Sequence, residues 1–211
     1  LTCQTLELNR QKGVLSITPN RGTAKNRQIF AGTYVMRRDL FIDMIKKAHN
    51  TSAMYSLMDW VNLMCNEMDI RGVAHRGYFG SITDFKSYYD TSMSLIDLKT
   101  ARSLFDPDWP IYTRTSDSCP TQYLEGADVK ASVISNGCRI EGTIDHSILS
   151  RGCIIKKGAV VKNCVILPDV VIGEDTVLEN VVVDKHVRIN HIKEVKGTPE
   201  HPGYVKRGDH L

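Results

Sequence analysis

Residues 148–183 read ILSRGCIIKKGAVVKNCVILPDVVIGEDTVLENVVV, and this stretch decides the fold. Its apolar residues recur at every sixth position in two adjacent columns. One column is Ile148, Ile154, Val160, Ile166, Ile172 and Leu178; its neighbour is Cys153, Ala159, Val165, Val171, Val177 and Val183. An α-helix repeats every 3.6 residues and a strand every 2, so neither sustains a period of six. A parallel β-helix does, because each short strand forms one face and each tight turn forms a corner. Gly152, Gly158 and Gly173 fall near the columns, and Lys162-Asn163, Glu174-Asp175 and Glu179-Asn180 supply polar corners. Both columns are expected to form the packed interior. Ordinary Val/Ile-rich strands do not explain six consecutive matches in phase.

The pattern extends outward from this stretch and weakens in both directions. Ile134 and Ile140 are six apart, but Ile140 and Ile148 are eight apart, which predicts a bulge or insertion near Asp145-His146. The period fades after Ile189, and residues 197–203 (GTPEHPG) read as a loop or tail. Upstream, Asp106-Pro107-Asp108-Trp109-Pro110 stops helices and reads as a linker. The expected division is therefore an α/β domain over residues 1–112 and a β-helix domain over 113–211. Within the first, strands are expected over 14–17, 30–36, 73–75 and 77–82. A first helix is expected from an N-cap at Asp39, and a second from Thr51 or Ser52 with Leu57, Trp60, Val61 and Met64 on its apolar face. A third is expected from Thr83, with Phe85, Tyr89, Met93 and Ile96 facing inward.

Bulk composition bounds the function class. The chain has 211 residues, 42% apolar and 24% charged, as ordinary globular proteins do. A net charge of +3, with Lys and Arg scattered rather than blocked, does not argue for nucleic acid. No apolar run reaches the ~20 residues of a membrane helix. The six cysteines show no C-x-x-C pair, which argues against a zinc site, and Cys153 sits in an apolar column as a small hydrophobe. Free thiols point to the cytoplasm. The chain opens at Leu1 rather than Met, as a fragment or processed form would.

A second region carries a family resemblance. Gly77-Tyr78-Phe79-Gly80-Ser81-Ile82-Thr83-Asp84-Phe85, followed by Ser87-Tyr88-Tyr89-Asp90-Thr91-Ser92-Met93-Ser94-Leu95, resembles a motif of sugar nucleotidyltransferases. The similarity is greatest to the ADP-glucose pyrophosphorylases (glucose-1-phosphate adenylyltransferases) of glycogen synthesis. Gly32-Thr33-Tyr34-Val35-Met36, Pro110-Ile111-Tyr112-Thr113 and Val183-Asp184-Lys185-His186-Val187-Arg188-Ile189 resemble further segments of that family, in the same order. The resemblance implies the C-terminal part of an α/β nucleotidyltransferase-like domain followed by a left-handed parallel β-helix of hexapeptide repeats.

The departures from the family pattern bear on function. Where catalytic members carry an Asp that helps hold Mg²⁺, this chain has Ser81, and a neutral hydroxyl is a much weaker ligand than a carboxylate. Where they carry a sugar-contacting Ser, it has Phe30. Their Glu-Lys-Pro motif has no counterpart in residues 1–30, and their Gly-rich phosphate loop does not occur in this chain. Phosphoryl-type transfer depends on positioning and charge neutralisation, so these losses argue against catalysis. The implied role is a regulatory, non-catalytic subunit without a cofactor of its own. It would assemble with and activate the catalytic subunit that makes ADP-glucose and pyrophosphate from ATP and glucose 1-phosphate. The resemblance marks Lys185 and Arg188 as candidates for an anionic effector such as a sugar phosphate, and the β-helix as the self-associating part. The bland reading of both residues is solvated charge on a corner.

Two other readings stand beside this one. An active adenylyltransferase would take its metal ligands from residues not in this chain. A hexapeptide-repeat acyltransferase would use a histidine as general base, and His146 and His186 lie in the repeat region. A histidine on a turn is more often polar surface. His75 and Arg76 precede the Gly77-Tyr78 segment and read as polar edge residues.

Overall fold

The computed structural model describes residues 3–20, 28–51, 56–113 and 115–211. The chain forms two compact units, residues 1–76 and 77–211. Residues 77–112 fall in the second of these units, together with the β-helix.

In the first unit β1 (Cys3–Leu8) lies between β2 (Val14–Asn20) and β3 (Gln28–Ile29) in an antiparallel sheet. Helices α1 (Arg38–His49) and α2 (Leu57–Met64) follow. Val14, Ile17, Met44, Trp60 and Val61 are buried together, with Phe30 and Tyr34 packed against them. Asn62 ties α2 to β2, accepting from the Ile17 amide at 2.7 Å and donating to its carbonyl at 2.9 Å. Several expectations need correction here. Residues 30–36 leave the strand after Ile29, and Val35 is exposed. Asp39 lies in the first turn of α1 and pairs with Arg37 instead of capping. Ser56 caps α2, accepting from the Asp59 amide; Thr51 instead donates to the Lys47 carbonyl, and Ser52 lies outside the described residues. Residues 73–75 and 77–82 form no strand; the pairing stops before them, at a single bridge between Arg71 and Gly13.

The second unit opens with α3 (Phe85–Ser94) and α4 (Leu98–Leu104). Asp84, one residue after the expected Thr83, caps α3 in a reciprocal capping box with Ser87. Among the described residues the chain then winds through five coils of a left-handed parallel β-helix. The first coil is β4 (Gln122–Tyr123), β5 (Asp128–Lys130) and β6 (Val133–Ile134). The second is β7 (Arg139–Ile140), β8 (Thr143–Asp145) and β9 (Ile148–Leu149); the third is β10 (Ile154–Ile155), β11 (Val160–Lys162) and β12 (Val165–Ile166). The fourth is β13 (Val171–Ile172), β14 (Val177–Glu179) and β15 (Val181–Val183); the fifth is β16 (Arg188–Ile189), β17 (Glu194–Lys196) and β18 (Gly203–Val205). Equivalent strands stack into three parallel sheets of five strands each.

The repeat is 17 residues per coil, not 18. Ile154 pairs with Val171, Val160 with Val177 and Val165 with Val182. One corner in three is a residue short, at Asn163-Cys164 and its equivalents, so the inward phase slips once per coil. The interior is therefore Ile144, Leu149, Ile155, Val161, Ile166, Ile172, Leu178, Val183 and Ile189, all at 0% exposure. A strict six-residue column does not stay inside: Ile154 is 37% exposed, and Val165 is buried outside the coil under α3. The supposed insertion near Asp145-His146 is instead a deletion. Only Glu141 and Gly142 join β7 to β8, where four residues join β10 to β11. His146 holds an ordinary corner conformation (φ 44°), like Asn163 and Asn180 one and two coils on (φ 50° and 53°). Nor does the winding fade after Ile189, as the sequence pattern does. β17 and β18 continue the winding, with a five-residue insertion between them, since Val181 pairs with Gly203 at a spacing of 22.

Helix α3 packs on the sheet containing β12 and β15. Tyr89, Val165 and Val182 are buried together, and the Tyr89 hydroxyl donates to the Asn163 carbonyl at 2.7 Å. Phe85 meets Tyr204 edge-on at 5.5 Å.

Candidate functional site

Four residues, 184–187, turn the chain from β15 into β16, and the sequence places Lys185 at this corner. Lys185 is exposed, His186 takes the left-handed conformation (φ 62°), and Val187 fills the interior. His186 Nδ1 lies 3.5 Å from Asp169 Oδ2, at the equivalent corner of the coil before. Asp184 accepts from the Tyr204 hydroxyl at 2.8 Å and from the Lys185 amide at 2.7 Å. Against the cost of partial burial, these hydrogen bonds and the nearby Arg207 and Lys185 hold its carboxyl below the usual range.

Arg188 sits on β16 and is already engaged. Its Nη1 donates to the Asp169 carbonyl at 2.5 Å and to the Val187 carbonyl at 3.3 Å. The fifth coil supplies cations that sequence reading missed. Residues 206–209 form the next corner on the stack, with Gly208 donating its amide to the Lys185 carbonyl at 3.1 Å. Lys206 and Arg207 are exposed there, so Lys185 and Arg207 project from adjacent corners one coil apart. The signal was present: Arg207-Gly208 repeats the place of Lys185-His186 and of Arg151-Gly152, once the coil is followed past Ile189. Chemically, the corner is a stack of exposed cations suited to a multiply charged anion, with the Asp184 carboxylate beside it setting a limit on the net attraction.

The two positions that the resemblance marks as degenerate, Ser81 and Phe30, lie elsewhere. Ser81 is half-buried in the extended segment before α3. The carboxylate next along the chain, Asp84, is committed to its helix; the Ser87 amide and hydroxyl hold it below the usual carboxyl range. Among the described residues no three His, Cys, Asp or Glu side chains gather as a cation site. Phe30 belongs to the first unit, half-buried and edge-on to Tyr34 at 5.1 Å, as a packing residue. His75 and Arg76 are exposed, and Arg76 borders an open hollow of about 360 Å³ with Lys12 and Arg71. Arg71 is paired with Asp69 at 2.8 Å.

The GlmU-like C-terminal hexapeptide family matches residues 120–201. The glycogen biosynthesis protein GlgD of Bacillus subtilis is 38% identical over 175 residues, covering 83% of this chain and 51% of that protein. GlgD of Geobacillus stearothermophilus matches with the same identity and coverage. A glucose-1-phosphate adenylyltransferase of Streptomyces coelicolor is 37% identical over 86 residues, covering 41% of this chain and 22% of that protein. The chain thus spans about half the length of the GlgD relatives it matches. Among the described residues, no helix is long and apolar enough to cross a membrane.

Proposed function

We propose, for a chain that belongs with the GlgD glycogen biosynthesis proteins and glucose-1-phosphate adenylyltransferases, that it is the C-terminal part of a regulatory, non-catalytic subunit. Its catalytic partner makes ADP-glucose and pyrophosphate from ATP and glucose 1-phosphate, in the cytoplasm. One observation carries the reading. The segment aligned with the family's metal-binding motif offers Ser81 in place of a carboxylate, and the one acid within residues 77–85, Asp84, is spent on capping α3. These residues do not fit a divalent cation, which takes hard anionic oxygens. Phe30, packed with Tyr34, supports the same reading, because an apolar ring in a core gives a sugar hydroxyl no hydrogen bond.

What the chain keeps is a rigid platform. Interior residues at 0% exposure run through the β-helix, and its outer faces and corners carry the polar groups. On this reading the faces meet other subunits and the Lys185 corner, extended by Lys206 and Arg207, takes an anionic effector. No step of adenylyl transfer is assigned to residues of this chain. His146 and His186 are corner residues in left-handed conformation, the second beside Asp169.

The test is a titration of the full-length protein into the catalytic adenylyltransferase of the same organism, following pyrophosphate release. The expected result is a saturable rise in rate with a defined stoichiometry. A rate unchanged at any ratio, with no co-elution, overturns the regulatory role.

A further inference from the structure

Five stacked residues, one per coil, lead into β4, β7, β10, β13 and β16: Thr121, Cys138, Cys153, Val170 and Val187. Two neighbours in this column are cysteines. We propose that Cys138 and Cys153 form a redox pair, which closes to a disulfide and staples the second coil to the third. Its chemistry is independent of the regulatory role proposed above and is read from thiols and unfolding, not from activation.

Backbone bonds fix the stacking. The Arg139 amide donates to the Cys153 carbonyl at 2.9 Å, as the Gln122 amide donates to the Cys138 carbonyl at 2.9 Å one coil earlier. Ile154 pairs with Arg139 and Ile155 with Ile140 in parallel register, so Cys153 stacks on Cys138. In-register residues on neighbouring strands lie about 4.8 Å apart, inside the Cα range of about 4.4–6.8 Å that a disulfide spans. Both side chains belong to one buried core, at 2% and 0% exposure. They take equivalent poses: Cys138 Sγ donates to the Ser150 carbonyl at 3.1 Å, and Cys153 Sγ to the Leu167 carbonyl at 3.3 Å. All six cysteines are free thiols, and the third buried one is Cys164. Its column neighbours are Ser147 and Val181, so its own column offers it no sulfur.

The two thiols are not equivalent. Hydrogen bonding from the Cys153 thiol, above all, holds the Cys138 thiol below its usual range, whereas the same bond and burial push Cys153 up. Cys138 is therefore the sulfur that ionises and attacks. A peroxide is the oxidant class that suits a packed core, because it leaves a single oxygen behind. The Cys138 thiolate attacks one oxygen of hydrogen peroxide and the O–O bond breaks. With one proton taken up, water leaves and Cys138 carries a sulfenic acid. The Cys153 sulfur then attacks the Cys138 sulfur, the S–O bond breaks, and the hydroxyl leaves as water with the Cys153 proton. Two thiols lose two electrons to one hydrogen peroxide, which becomes two waters. Access comes through the first coil. Among the described residues its strands stack on the second coil alone, and an end repeat with one neighbour opens more readily than a repeat between two.

The reduced full chain is treated with hydrogen peroxide, and the remaining thiols are alkylated in urea with N-ethylmaleimide. Non-reduced tryptic peptides are expected to show Cys138 linked to Cys153, with Cys164 alkylated, and dithiothreitol to restore both thiols. The closed loop of about 15 residues restricts the unfolded chain, so oxidation is expected to raise the urea midpoint by about 1 M. Cys164→Ser is expected to oxidise as the wild type does, and Cys138→Ser and Cys153→Ser each to lose the linked peptide. Absence of oxidation, or oxidation confined to Cys3, Cys65 and Cys119, overturns the inference. So does a disulfide from Cys138 or Cys153 to any other cysteine in place of this one, or a lowered midpoint on oxidation. The wild-type peptide map needs no substitution, so a variant that fails to fold leaves the test intact.

Discussion

Arg188 and Lys185 are three residues apart in sequence yet differ in what they are free to do. The Arg188 guanidinium is bonded to the carbonyl of Asp169 in the coil below, whereas Lys185 is exposed beside the next coil's Arg207. If the corner takes a sugar phosphate, Lys185→Ala and Arg207→Ala are each expected to weaken activation about tenfold, as loss of a charge-assisted contact does. Arg188→Ala is expected to act chiefly on stability. Activation curves beside urea melts separate the two. Tyr89 gives a second residue-scale prediction. Burial, with Cys164 and Asp90 nearby, pushes its hydroxyl up to about 12. In the unfolded chain it ionises near its ordinary value of about 10. The folded state therefore holds the proton more tightly, and this contribution to stability is complete below about pH 10 and is lost as pH rises to about 12. Phenolate absorbance should show one tyrosine titrating late. Tyr89→Phe should remove its hydrogen bond to the Asn163 carbonyl and cost about 1 kcal/mol by denaturant titration.

At the scale of the element, the corners decide what the sequence reveals. Period-six matching finds the β-helix because apolar residues fill the inward positions of every coil. It misplaces part of the interior, because one short corner per coil shifts the phase, and a count of apolar residues does not see corners. The same cause turned the shortened Glu141-Gly142 corner into an apparent insertion. That corner is tight: a Cβ on Gly142 would stand 2.4 Å from the Ala159 carbonyl oxygen and 2.9 Å from that of Lys156. Gly142→Ala is expected to cost about 2–3 kcal/mol, as overpacking against fixed backbone does. Gly208 is the contrast, with φ 76° and open space around it. Gly208→Ala should cost only the left-handed penalty of about 1–2 kcal/mol. Urea unfolding of both variants tests the ordering. The start of α3 was legible to within one residue, where Asp84 stood ready to cap, whereas α2 begins at Ser56, well past the Thr51 or Ser52 expected from the sequence. The expected strand over residues 30–36 failed because its apolar residues, Phe30 and Tyr34 among them, serve the core from an irregular segment.

At the scale of the whole molecule, the kinship was legible because several motifs occur in one order, and the relatives bear it out. Residues 77–112 carry nucleotidyltransferase-like sequence, yet they belong to the β-helix unit, where Tyr89 and Phe85 meet β-helix residues. Such contacts span 74 residues for Tyr89 and leave no local periodicity to read. The candidate site divides similarly. Lys185 came from a resemblance, while Lys206 and Arg207 emerge only when the fifth coil is stacked on the fourth. The proposed regulatory role requires that the protein, with Ser81 where the resemblance implies a metal-binding Asp, does not make ADP-glucose by itself. The direct measurement is pyrophosphate release by the purified full-length protein given ATP, glucose 1-phosphate and Mg²⁺ without a catalytic partner. The expected result is no turnover above background alone and a stimulated rate once the partner is added; robust turnover by the isolated protein overturns the non-catalytic role.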